Sequence, residues 1–348
     1  MKRLSSITAY LLVMVLVIGL LAGCAPKQAE PVATPGTEEK KPVKIGISLP
    51  TQREERWVLD KDNFEKVAKE LGVEVLIQVA DNDAAKQQSQ VENMIANGIN
   101  VLIIAPHDGT AAANIVTMCH DSGIKVVSYD RLVMNADVDL YLTFDSLVVG
   151  EMQAKWMLER APKGNIALLA GDPGDSCAVL YRQGALNVLK PKVDSGDIKL
   201  VLDQECKDWQ PVEALKHIEN ALTVNKNDIQ GIVAPNDGTA GAAIQALAAQ
   251  GLDGKVPVTG QDAEVDAIKR IIEGTQGMTI FNDIRDLGRA AIVSAIKLYH
   301  GEDPGADKVN NNGKYDVPSI EIAPVIVDKD NYKKILIESG FIKEEALK

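Results

Sequence analysis

Polar side chains follow several apolar, strand-like segments of this sequence. Carboxylates accept hydrogen bonds, a guanidinium donates them in a planar fork, and amides do both. This set suits a polyol, whose hydroxyl groups donate and accept. Asp and Asn also cap helices, and for Asp237 capping and ligand binding are equally open. The residues are Arg53, Arg56, Asp130, Arg131, Asn236, Asp237, Gln261 and Asp262.

Two tryptophans accompany these polar groups in a chain that is only 4% aromatic. Trp57 follows the first arginines, and Trp209 lies in the segment CKDWQP between a predicted strand and a predicted helix. An indole can stack on the C–H face of a pyranose while polar groups bond its rim. Trp156 lies inside a predicted helix, where we expect core packing.

The usual catalytic motifs are missing from the sequence. It contains no G-x-S-x-G elbow, no P-loop and no G-x-G-x-x-G. Its four histidines are scattered without the spacing of metal ligands. We therefore expect no enzymatic activity, no metal and no cofactor.

Strand-like and helical patterns alternate from Val43 onward, which favours parallel sheets covered by helices. The fold class is α/β, with two doubly wound domains suiting this length better than one large sheet. The strand-like runs are 44–49, 73–80, 101–106, 125–130, 139–144, 165–171, 198–203, 229–235, 256–260, 278–281 and 320–327. The helical patterns include 56–71, 84–97, 150–160, 211–223, 239–250 and 287–299.

Two irregular stretches indicate where the chain crosses between domains. A strand near 139–144 follows one near 125–130 without a helix, and a polar loop at 301–319 precedes the last strand. We predict an N-terminal lobe of residues 43–145 plus 283–306, and a C-terminal lobe of 146–282 plus 318–348.

The N-terminus indicates export and lipid anchoring. Lys2 and Arg3 precede an apolar run that is short for a membrane span and ends in Leu-Ala-Gly-Cys24, the pattern of a bacterial lipobox. Residues 1–23 are predicted to be a lipoprotein signal peptide. Residues 24–42, rich in Pro, Ala, Glu, Lys and Thr, would form the lipidated Cys24 and a tether. The expected location is the outer face of the cytoplasmic membrane.

Charge and cysteines limit the partners. The net charge of −12 argues against nucleic acid. Cys119, Cys177 and Cys206 remain after Cys24, and they fit buried free thiols, with a Cys177–Cys206 disulfide as the alternative.

Longer segments carry a family resemblance. They are REERW (53–57), QVENMIANGINVLIIAP (90–106), SYDR (128–131), PNDGTAGAAIQALAAQGL (235–252), GQDAEVDAIKRIIEGTQGMT (260–279) and NNGKYDVPS (311–319). From about Lys44 to Glu344 the chain resembles the periplasmic xylose-binding proteins of the ribose/galactose type. The resemblance implies a type I periplasmic binding protein, in which three hinge strands join two lobes around a sugar.

The resemblance also implies which positions contact the sugar. They are Arg56, Trp57, Asp130, Arg131, Trp209, Asn236 and Asp262, with the two indoles as stacking faces. Two further contact positions depart from the family. Cys177 stands where an asparagine is expected, and Asn282 stands where a lysine is expected.

The predicted function is delivery of a monosaccharide to an ABC permease by hinge closure. The expected ligand is D-xylose, and glucose or another aldopyranose is the second choice. We expect the protein to be a monomer. The alternative is a sensor that presents its closed form to a membrane histidine kinase. A regulator of the lactose-repressor type would need an N-terminal helix-turn-helix, where this chain has a signal-like segment.

Overall fold

The computed structural model describes residues 43–348. The predictions for the signal peptide, Cys24 and the tether lie outside these residues. The strands are β1 (Lys44–Leu49), β2 (Glu74–Val79), β3 (Val101–Ile104), β4 (Lys125–Tyr129), β5 (Leu140–Phe144), β6 (Gly164–Ala170), β7 (Ile198–Glu205), β8 (Gly231–Val233), β9 (Met278–Phe281), β10 (Lys308–Asn311), β11 (Asp316–Ile322) and β12 (Val325–Asp328). The α-helices are α1 (Glu55–Leu71), α2 (Ala84–Ala96), α3 (Ala113–Asp121), α4 (Ser146–Arg160), α5 (Ser176–Asp194), α6 (Pro211–Val224), α7 (Asp237–Ala248), α8 (Val265–Glu273) and α9 (Ile284–Tyr299).

Seven strands form the first sheet, in the order β10-β11-β5-β4-β3-β1-β2. All neighbours are parallel except the β10–β11 hairpin. Strands such as KIGISL and VLII are almost wholly buried because α1 and α9 cover one face and α2 and α3 the other. We call the sheet and these helices the first lobe.

The second lobe contains the parallel sheet β7-β6-β8 and the antiparallel pair β9–β12. The predicted strand at 256–260 forms only an isolated bridge, between Ile232 and Val258. Pro257 lacks an N–H and interrupts the ladder there. Helices α4 to α8 pack on these strands in two large apolar clusters and one smaller one.

The chain passes between the lobes three times, after β5, after β9 and after β11. The sequence predicts that residues 318–348 lie wholly in the second lobe, but Ser319 to Ile322 pair with β5 in the first sheet. The last crossing therefore lies between Ile322 and Val325. The polar loop also contains β10, a strand that the sequence pattern does not predict. Its hairpin turn uses Gly313 at φ +95°.

Within residues 43–348, every helix is too short or too polar to traverse a lipid bilayer.

Candidate functional site

The carboxyl ends of the strands in both lobes face a common cavity. Such crevices are where doubly wound sheets bind ligands. The cavity brings together seven of the nine predicted contact residues. Its lining consists of Glu54, Arg56, Trp57, Asp130, Arg131, Asp175, Tyr181, Trp209, Asn236, Gln261 and Asp262.

Arg56, in the first turn of α1, lines the cavity on the side of the first lobe. Its Nη1 donates to Asp130 Oδ2 at 2.8 Å, and its Nη2 donates to Asp60 Oδ2 at 3.0 Å. Arg56, Asp130 and Asp60 are all buried. Tyr129 Oη donates to the other oxygen of Asp60.

An ion pair joins the lobes at the cavity. Arg131 Nε of the first lobe lies 2.7 Å from Asp175 Oδ2 of the second, in an orientation too oblique for a hydrogen bond. Trp209 Nε1 donates to the same oxygen at 3.1 Å. Burial raises the pKa of Asp175, and the neighbouring Arg131 opposes that rise.

The two indoles stand on opposite lobes, and both reach the cavity. Guanidinium groups cover Trp57, with the Arg56 carbon 4.3 Å and the Arg131 carbon 5.2 Å from the ring centre. Trp209 packs edge-on to Tyr181, with 6.5 Å between ring centres. Gly171 makes room for Trp209, because a Cβ there would lie 2.3 Å from the indole.

Three of the site residues have left-handed backbone conformations. Asp130 has φ +62°, Trp209 has φ +56° and Asp262 has φ +98°. Such values cost free energy for residues other than glycine, and they cluster at functional sites. At Asp130 the carbonyl is fixed by three donors, which are the hydroxyls of Tyr141 and Thr143 and the thiol of Cys177.

Asp262 and Asn236 contribute polar atoms from the second lobe. Burial raises the pKa of Asp262 to about 6, against the opposing effect of Arg56. Asn236 caps α7 by accepting from the Thr239 backbone N–H at 3.0 Å. Its Oδ1 serves the cap, so its Nδ2 is the atom that it can offer to a ligand.

The lobes also touch beside the cavity, as in a closed cleft. Gly109 N donates to Gly174 O at 3.0 Å, and Leu132 N donates to Ser176 Oγ at 2.7 Å. Arg53 donates to the carbonyl of Asp208 across the same gap.

The lining has the chemistry of a polyol site. Carboxylates accept, guanidinium and indole N–H groups donate, and amides do both around one shared cavity. Within residues 43–348 no three His, Cys, Asp or Glu side chains group as a metal site.

Residues 45–303 match the family described as the periplasmic binding protein domain. The chain belongs to this family.

Relatives of this periplasmic binding protein cover most of its length. The D-xylose-binding periplasmic protein of Escherichia coli K12 is 48% identical over 307 residues, covering 88% of this chain and 93% of the relative. A multiple sugar-binding periplasmic receptor of Rhizobium radiobacter is 38% identical, covering 87% and 92%. A carbohydrate transporter solute-binding protein of Chloroflexus aurantiacus, solved with D-glucose, has a TM-score of 0.82 at 38% identity, covering 87% and 97%. The predicted type I fold is thus confirmed, and these relatives are binding proteins rather than enzymes.

Two predicted contact residues do not line the cavity of this periplasmic binding protein. Cys177 is buried, and its thiol donates to the carbonyl of Asp130 at 2.9 Å. Asn282 is also buried, and neither of its amide atoms has a hydrogen-bond partner among the described residues.

The disulfide alternative is wrong, because Cys177 and Cys206 are both buried free thiols. The capping interpretation of Asp237 is also wrong, since Asn236 is the cap. Asp237 is fully buried instead, where it accepts from Gln276 and Thr279 and holds β9 against α7.

Three lining residues were not singled out in the sequence: Glu54, Asp175 and Tyr181. Gln261, also in the lining, was predicted as a polar residue at a strand end but not as a family contact position. Asp175 follows the apolar run of β6 in GDPGD, the same signal that identified Asp130. Tyr181 lies within α5, where the sequence pattern does not separate a lining position from a core position.

Proposed function

We propose that this protein binds a neutral monosaccharide, with D-xylose first, between its two lobes and delivers it to an ABC importer. The observation that carries the proposal is the cavity in which Trp57 and Trp209, from opposite lobes, meet four carboxylates and two guanidinium groups. The names of the Escherichia coli and Chloroflexus aurantiacus relatives support a sugar as ligand.

The balance of charge favours a neutral sugar over a sugar acid. The lining contains Glu54, Asp130, Asp175 and Asp262 against Arg56 and Arg131. Each arginine already faces a carboxylate, so a further anion would meet excess negative charge.

Hinge closure is the proposed signal to the permease. The cavity is built from both lobes, so a sugar contacts all its partners only when the lobes close, and it thereby shifts the population toward that state. The lobes proposed to move are the two defined by their sheets, with the three crossings as hinges.

Export and anchoring complete the proposal. Cys24 would carry the lipid and residues 25–42 would be the tether, which places the lobes on the outer face of the cytoplasmic membrane. A Cys24→Ser variant that still partitions into detergent with the membrane fraction would contradict the anchor.

The alternative function, a sensor that signals to a histidine kinase, uses the same closure of the lobes. Neighbouring genes for a permease and ATPase, or for a sensor kinase, distinguish the two functions.

The proposal is tested by isothermal titration calorimetry with D-xylose, D-glucose, D-ribose and L-arabinose, and with D-xylonate as the matched anion. A pentose has about ten heavy atoms, so micromolar or tighter binding is within reach of small-ligand efficiencies. We expect heat with at least one neutral sugar and none with xylonate. Folded protein that gives no heat with any of the four sugars would overturn the proposal.

A further inference from the structure

A fully buried pair lies directly behind Arg56, outside the cavity lining. Asp60 stands one turn after Arg56 on α1, and Tyr129 is the last residue of β4. Both side chains have no exposed surface. A buried carboxylate is costly unless it is paired, so its presence here needs a reason.

The contacts of Asp60 give that reason. Its Oδ2 accepts from Arg56 Nε at 3.2 Å and from Arg56 Nη2 at 3.0 Å, while its Oδ1 accepts from Tyr129 Oη. Tyr129 is itself fixed by edge-on packing against Phe64, with ring centres 5.0 Å apart. Tyr129 therefore fixes one oxygen of the Asp60 carboxylate, and the other oxygen fixes the guanidinium of Arg56.

This arrangement determines what Arg56 presents to a ligand. A guanidinium has five N–H donors. The bonds to Asp60 and Asp130 engage three of them. Rotation of the guanidinium would break a bond to a buried carboxylate, so the remaining donors of this cavity-lining residue keep a fixed direction.

We infer that Asp60 and Tyr129 are positioning residues, which set the orientation of Arg56 for sugar binding without touching the sugar. Burial raises the pKa of Asp60 to about 6, against the opposing effect of Arg56, so this carboxylate is costly to keep charged. Replacing a whole buried ion pair with apolar side chains is often neutral or stabilising, so packing alone does not account for a charged residue at this place. The inference rests on the proposed function for the identity of the ligand. The hydrogen bonds that hold Arg56 do not depend on which ligand is bound.

The test combines affinity with a signal from Arg56 itself. In protein labelled with ¹⁵N-arginine, the Nε–Hε resonance of Arg56 is assigned by its loss in Arg56→Lys. We expect Asp60→Asn to shift that resonance and speed its exchange with water without added sugar, and to raise the xylose Kd about tenfold. Asp62→Asn, an exposed change on the same helix, is the matched control and should alter neither quantity.

Tyr129→Phe repeats the test with a smaller change, because it removes one hydrogen bond and keeps the ring. It should also shift the Arg56 resonance and raise Kd by roughly threefold to tenfold, and it serves if Asp60→Asn does not fold. A lower melting temperature with an unchanged Arg56 resonance and unchanged Kd would overturn the inference. No sugar heat from the wild type would overturn the proposed function instead, and the resonance would still decide whether Asp60 positions Arg56.

Discussion

Arg131 and Asp175 meet across the cleft with 2.7 Å between Nε and Oδ2, and both are at least 95% buried. Arg131 follows β4 of the first lobe and Asp175 lies in the loop before α5 of the second, so the proposed opening of the lobes would break the pair. Because Trp209 bonds to the same carboxylate, closure and the position of the indole are linked.

Asp175→Asn should therefore loosen closure. It leaves Arg131 buried beside a neutral amide, which removes the attraction between the lobes. We expect a larger radius of gyration by X-ray scattering without sugar, and a xylose Kd raised about tenfold or more. Asp203→Asn, which breaks the Arg182–Asp203 pair inside the second lobe, is the control. Equal scattering and affinity for both variants would contradict the role of Asp175.

Trp209→Ala should weaken sugar binding at least about tenfold, the scale of one lost aromatic contact. Gly171→Ala should weaken it too, because the new Cβ would displace the indole that now lies 2.3 Å from its position. Trp156→Phe is the control, since Trp156 packs in the core of the second lobe. Calorimetry that finds unchanged affinity in Trp209→Ala would make that residue structural.

Cys177 should report the opening of the cleft. Cys177 packs in an apolar cluster of the second lobe and its thiol contacts Asp130 of the first, whereas Cys119 and Cys206 each lie in a core cluster of one lobe. Burial raises the pKa of Cys177, so it should react with maleimide only when the lobes part. We expect saturating xylose to slow its labelling about tenfold, as followed by peptide mass spectrometry. The rates of the other two thiols are the internal control, and equal slowing of all three would exclude this explanation.

Asp262→Asn should stabilise the protein at neutral pH while it weakens sugar binding. Burial raises the pKa of Asp262 from 3.8 to about 6, so the charged form is disfavoured in the folded state. Protonation of Asp262 stabilises the folded state fully at a pH below the pKa of this residue in the unfolded chain. This stabilisation is lost as the pH rises through about 6.

The amide of Asp262→Asn does not ionise, so this variant does not lose stability as the pH rises. Its melting temperature should exceed that of the wild type by about 2 °C or more at pH 7.5, and the difference should be smaller at pH 4.5. Asp266→Asn, an exposed neighbour, is the control for the change of net charge. A gap that is largest at pH 4.5 would refute the assignment.

The sequence predicted the regular elements well because buried parallel strands are continuous apolar runs. β1 begins and ends where the pattern does, and so does β9, which is fully buried although it pairs antiparallel with β12. Trp156 is in the core as expected. The hairpin strand β10 was missed because KVNN is polar and mostly exposed, so it has no apolar pattern. Pro257 explains why the apolar run VPVTG does not form a full strand.

The sequence predicted cavity-lining residues where they follow the end of an apolar, strand-like run. Asp130, Asn236 and Asp262 were found by that signal, and Asp175 could have been. Cys177 and Asn282 were assigned through family positions, and the thiol of Cys177 turns to the Asp130 carbonyl instead of the cavity. The role of Asp60 depends on the contact between a helix turn and a strand 69 residues later, which a local pattern does not reveal.

The most direct test is a crystal structure of the protein grown with D-xylose. The account predicts one pyranose in the cavity, with a face against Trp57 or Trp209 and hydroxyls bonded to Arg56, Asp130 and Asp262. A sugar bound elsewhere, or an empty cavity at saturating xylose and at saturating glucose, would contradict it.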